Sequence, residues 1–187
     1  MNKPKPPAAL LLICLSLLLA SPLSSAAQRR EHLTPEEIEL VRDSQELDKR
    51  TAVFIKAAER RARALTDPSG AAREAEKERE RWGEVKGTRA ELLYDLARIL
   101  DEAVVNIDDA HLRSPESALL RKSLYKLSEA AARFIPQLTP LRASIPEGPE
   151  RDQLERAIET AEEIVEAAKT HAVTEEDSKA KGGKKGN

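Results

Sequence analysis

The residues best suited to chemistry in this chain are three histidines, His32, His111 and His171, and two neighbouring acids, Asp108 and Asp109. Imidazole nitrogen together with carboxylate oxygen suits a borderline divalent ion. If four helices run alternately up and down, the first begins at the end where the second and fourth finish. That order draws His32, His111, His171 and Asp108 to one end and makes them a metal-site candidate. A plainer reading also accounts for them, because histidine at a helix C-terminus is favoured by the macrodipole.

Other chemistries lack their residues. The single cysteine, Cys14, and the single methionine, Met1, both lie in a segment expected to be removed. What remains has no thiol for catalysis, cluster ligation or thiolate zinc, and no Met ligand for haem. No G-x-S-x-G, H-E-x-x-H or phosphate-cradling glycine loop occurs. A di-iron bundle needs Glu-x-x-His on two helices. The nearest match, Asp108-Asp109-Ala110-His111, carries Asp in place of Glu and occurs once. Acidic pairs such as Glu36-Glu37, Glu162-Glu163 and Glu175-Glu176 are read as solvated faces in a chain with 33 acids. The expectation is a non-catalytic protein without a cofactor.

The elements that would carry these residues are helical. Leu33-Thr34-Pro35-Glu36-Glu37-Ile38 combines a capping box, a proline at the first helical position and a hydrophobic staple. The first helix is predicted to run from there to about Leu65, with Leu40, Leu47, Thr51, Phe54, Ala58 and Leu65 inward. Residues 66–87 read as a charged excursion, polar on every face, with no side to dock on a core. Thr88 and Glu91 cap a second helix whose stripe is Leu93, Leu96, Leu100, Ala103, Ile107 and Ala110. Ser114-Pro115-Glu116 is read as the cap of a third, with Leu120, Leu124, Leu127, Ala131 and Phe134 inward; Pro136 kinks or ends it. Leu154, Ala157, Ile158, Ala161, Ile164 and Ala168 mark a fourth. Steps of three and four throughout predict an all-α, antiparallel four-helix bundle. The domain is expected over 28–172, and a disordered Lys/Gly-rich tail over 173–187.

The N-terminus has the layout of a cleaved export signal. Lys3 and Lys5 precede a 13-residue apolar run, Ala8–Ala20, and Ser25 and Ala27 suit a signal-peptidase site. The run is shorter than the ~20 residues that span a bilayer, so no transmembrane segment is expected in the mature chain. Removing 27 of 187 residues, with Lys3 and Lys5 among them, leaves 160 residues carrying 29 basic and 33 acidic groups. That mild acidity gives no basis for nucleic-acid binding. A solubilising role suffices for the tail lysines Lys179, Lys181, Lys184 and Lys185.

Two resemblances rest on short stretches. Leu33-Thr34-Pro35-Glu36-Glu37 and Leu138-Thr139 resemble the Leu-Thr-x-x-Gln motif of periplasmic Spy/CpxP-type helical stress proteins, although both lack the glutamine. GTRAELLYDLARILDEAVVNIDDA, residues 87–110, is similar to uncharacterised exported bacterial all-helical proteins of about this length. The second resemblance implies an exported helical chain and no activity. Together these readings predict a periplasmic or secreted helical bundle with a binding or structural role toward a protein or envelope component. A periplasmic metal-binding protein and a Spy/CpxP-like chaperone are the alternatives.

Overall fold

The structure, a computed structural model, describes residues 30–179. The expected signal, residues 1–27, lies outside them, as do Lys181, Lys184 and Lys185. Contacts divide the chain into residues 1–30 and 31–187; of the first, only Arg30 is described. The described residues form seven α-helices and no strand: α1 (Pro35–Asp43), α2 (Leu47–Thr66), α3 (Pro68–Trp82), α4 (Arg89–Arg113), α5 (Ala118–Leu138), α6 (Pro149–Thr170) and α7 (Glu175–Ser178). A 3-10 turn, Thr139–Ala143, follows α5. Among these residues no helix is long and apolar enough to cross a membrane.

The capping box at Thr34 forms as its sequence predicts: Thr34 Oγ1 accepts from the Glu37 amide at 3.1 Å, and Glu37 accepts from the Thr34 amide at 2.9 Å. The single helix predicted to reach Leu65 is instead two helices, broken over Ser44–Glu46. Side chains take over the backbone bonds lost there. Gln45 Nε2 donates to the Arg42 carbonyl at 2.9 Å, and Arg50 Nε donates to that of Ser44 at 3.0 Å. The break is decisive for the fold. Along one continuous helix, Glu37 and Arg60 would stand ~35 Å apart; here they touch, because α1 turns back along α2.

The inward stripes of the long helices match the sequence pattern closely. Leu93, Leu96, Leu100, Ala103 and Ile107 of α4 are buried, with Leu120, Leu124, Leu127, Ala131 and Phe134 of α5 and Leu154, Ile158, Ala161 and Ile164 of α6. Pro136 lies inside α5 without ending it, so Leu138 reaches the core. The start of α5 is later than expected. Ser114 ends α4, and Ser117 stands at the head of α5.

Packing departs from a strict alternating order. α2 lies against α4 and α5, and α6 lies against the same two helices. α4 and α5 share little surface, although only residues 114–117 separate them. α4 and α5 therefore sit across the core from each other. Buried alanines, among them Ala57, Ala58, Ala97, Ala103, Ala130, Ala157 and Ala161, let all four helices approach this shared centre.

The predicted disorder after Val173 does not begin there. Residues 174–178 form a capped turn, α7, which docks on α5. Arg121 holds both Asp177 oxygens, at 2.9 and 3.1 Å, and donates to the His171 and Ala172 carbonyls. Val173 packs against the core.

Leu100 is almost wholly buried in the middle of the α4 stripe. Leu100→Ala should lower unfolding free energy by ~2–5 kcal/mol, read as a lower denaturation midpoint at constant slope. An unchanged midpoint would remove Leu100 from the core.

Candidate functional site

Two arrangements stand out: a buried ionic cluster where α1, α2 and the end of α3 meet, and the exposed helix α3 that the cluster anchors. Glu37 sits at the centre of the first. Its side chain is 0 % exposed, against 2 % for Arg61 and 7 % for Arg60. Glu37 Oε1 accepts from Arg60 Nη1 and, at 2.5 Å, from Arg61 Nη1. The guanidiniums carry the contacts onward. Arg60 donates to the carbonyls of Trp82 at 2.8 Å and Gly83 at 2.5 Å, and Arg61 donates to that of His32 at 2.8 Å. Thr34 Oγ1 donates to the same Trp82 carbonyl at 2.8 Å. The Arg60 guanidinium also lies 5.9 Å from the centre of the Trp82 ring, within cation–π range.

Gly83 is required at this junction. Its φ of +65° favours glycine, and a Cβ there would stand 2.0 Å from Glu36 Oε2. The chain thus leaves α3 directly under the α1 cap. In the sequence Glu37 reads as a capping residue only. The missing signal is Arg61: it occupies the position between Ala58 and Leu65 that the three-and-four stripe of α2 leaves open.

The histidines separate into two places. His111 and His171 come together at one end, their ring centres 5.7 Å apart. His32 does not join them, because the fold-back of α1 carries it away from that end. Its Nε2 lies 2.6 Å from Glu102 Oε2, about 13 Å down α4 from His111. Asp108 lines an apolar notch of about 160 Å³ with Ile107, Leu124 and Ile164. His32, His111, His171 and Asp108 therefore do not assemble as one set. Among the described residues no group of three or more His, Cys, Asp or Glu side chains is placed to hold a metal ion.

Residues 66–87 are more ordered than a charged excursion suggests. α3 is a helix of 15 residues, capped by Asp67, which accepts from the Gly70 amide at 2.9 Å. None of its residues is fully buried. Ala71, Glu74, Ala75, Glu78 and Trp82 are half-buried on one face, while Arg73, Glu76, Lys77, Glu80 and Arg81 are exposed. A face does dock, but on alanine methyls and carboxylates rather than on a large apolar stripe. Lys56 Nζ lies 3.0 Å from Glu74 and 3.1 Å from Glu78, and Arg63 also pairs with Glu74. Clefts of about 440 and 450 Å³ flank the contact.

Charge also ties the remaining elements. Asn106, at the edge of the α4 stripe, accepts from Arg50 Nη1 at 3.3 Å and so links α4 to the start of α2. Burial works to raise the Asp48 carboxyl, but Lys122 at 2.9 Å, with Lys126 beyond, holds it below the usual range. At the other end Arg142 and Arg151 converge on Glu155, with Arg142 Nη2 at 2.5 Å and Arg151 Nε at 2.6 Å. The Arg142 hydrogen bonds, assisted by Arg151, lower the Glu155 pKa from 4.5 to about 2 against the effect of burial.

Compared with profiles of protein families, with curated proteins and with solved structures, the chain matches none. Its function has to be read from its own geometry.

Glu155 generates a pH prediction. A carboxyl whose pKa is depressed by folding contributes stability above pH 4.5 that is lost as pH falls toward about 2. Glu155→Gln should therefore lower the thermal midpoint at neutral pH and converge with wild type near pH 2. A gap of equal size at both pH values would contradict the assignment.

Proposed function

We propose that this chain is an exported, non-catalytic helical-bundle protein that presents α3 to a protein or envelope partner. The observation that carries the reading is the placement of α3. A helix with no fully buried residue contributes little to the core, yet its C-terminal end is fastened by buried Arg60 and by Thr34. Its free face alternates charge: Arg73, Glu76, Lys77, Glu80 and Arg81. A solvent-facing helix of mixed charge, anchored at its C-terminal end, suits reversible, salt-sensitive recognition. Export rests on the signal-like residues 1–27, and the absence of catalytic motifs supports a binding role.

A photo-crosslinking residue placed at Lys77 tests the reading in cells. It should capture a discrete partner from the envelope fraction, while the same residue at Glu129, exposed on α5, should not. The captured chain should begin near Gln28. Equal capture from both positions, or an intact Met1 on cytoplasmic protein, would contradict the proposal.

A further inference from the structure

Lys56, Arg60 and Arg63 follow one another along α2 at steps of four and three, which places them on one face. Arg60 is committed to Glu37 and to the carbonyls of Trp82 and Gly83. Lys56 and Arg63 are held by α3 instead. Glu74 and Glu78, one helical turn apart, supply the carboxylates: Glu74 serves both cations, and Glu78 serves Lys56. Ala71 and Ala75 flank Glu74 on the same face and keep the two helices close. With a cleft on either side, the contact is a narrow seam of ion pairs and methyl groups.

We propose that this seam is a docking site for a helix presenting carboxylates at i, i+4, occupied in cis by α3. Its recognition element is the α2 cation pair Lys56 and Arg63, which takes carboxylates spaced i, i+4 on a helix. α3 masks the pair until a partner segment of the same chemistry displaces it. Displacement is physically accessible. Partly exposed ion pairs are individually weak and are screened by salt. Because Asp67 joins α3 directly to α2 and Arg60 holds the Trp82 carbonyl, release proceeds by unwinding the helix between them rather than by swinging it away. A helix of 15 residues without its tertiary contacts is marginal in water. The inference concerns the α2-facing side of α3, opposite the face assigned above to a partner, and stands whether or not that partner exists.

The test uses the full chain carrying Glu74→Gln and Glu78→Gln. Amides of residues 71–81 should exchange at least about tenfold faster than in wild type, with residues 92–107 unchanged as a check on folding. The probe is a labelled peptide of residues 68–82 added in trans. At about 50 mM salt it should bind the variant at least about tenfold more tightly than wild type, and a further Lys56→Gln should cancel the gain. Unchanged protection of 71–81, or no gain in peptide binding once α3 is released, would overturn the proposal. Should the variant lose its core protection, wild type decides the matter. Raising salt from about 50 to 500 mM must speed exchange in 71–81 selectively, and equal exchange at both would overturn it.

Discussion

Glu37 has no exposed surface, and a carboxylate so placed is tolerable only where cations and donors surround it. Meeting that requirement draws three parts of the chain together. Thr34 supplies an amide from the head of α1, and Arg60 and Arg61 supply adjacent guanidiniums from α2. Arg60 Nη1 and Nη2 and Arg61 Nη2 also donate to the carbonyls of Trp82, Gly83 and His32. One buried charge thereby fixes the fold-back of α1, the approach of residues 32–34 and the exit of α3. Each guanidinium is itself buried, so no member of the cluster can be withdrawn without stranding another.

This constraint also orders the mobility expected of the molecule. The ring of α2, α4, α6 and α5 buries apolar stripes and small alanines. α3 lies outside that ring on ion pairs that solvent reaches. Its C-terminal end, by contrast, is bonded to Arg60, which is as inaccessible as the core. A helix with a loose middle and a fixed end can expose or cover the α2 face beneath it without disturbing that ring. The same economy appears at the C-terminus, where Arg121 fastens α7 and the turn before it through one side chain.

Much of the helical content was legible because amphipathic periodicity and caps are local properties. Thr34 with Glu37 and Thr88 with Glu91 mark the starts of α1 and α4, and the α4 stripe from Leu93 to Ile107 is buried as its spacing implies. What escaped the sequence was non-local. Nothing in Asp43-Ser44-Gln45-Glu46 breaks a helix strongly; the break is sustained by Arg50 and by the pull of Glu37 on α2. The placement of His32 followed from that error, since an unbroken first helix would have set it at the bundle end. The docking of α3 was missed for a different reason. Hydrophobic patterning is blind to a face made of Ala71, Glu74, Ala75 and Glu78. Arg61 was the one readable clue to the cluster, a charged residue at a core position of the α2 stripe.

The central claim, that a single buried carboxylate holds α1 and the end of α3 to α2, is tested most directly by hydrogen exchange and denaturation of Glu37→Gln. Breaking a buried ion pair by neutralising one partner costs ~3–5 kcal/mol. The account predicts a loss of that size, with amides of α1 and those around Trp82 and Gly83 losing protection together. A loss below ~1 kcal/mol, confined to amides of α1, would show that the three elements are held by something other than Glu37.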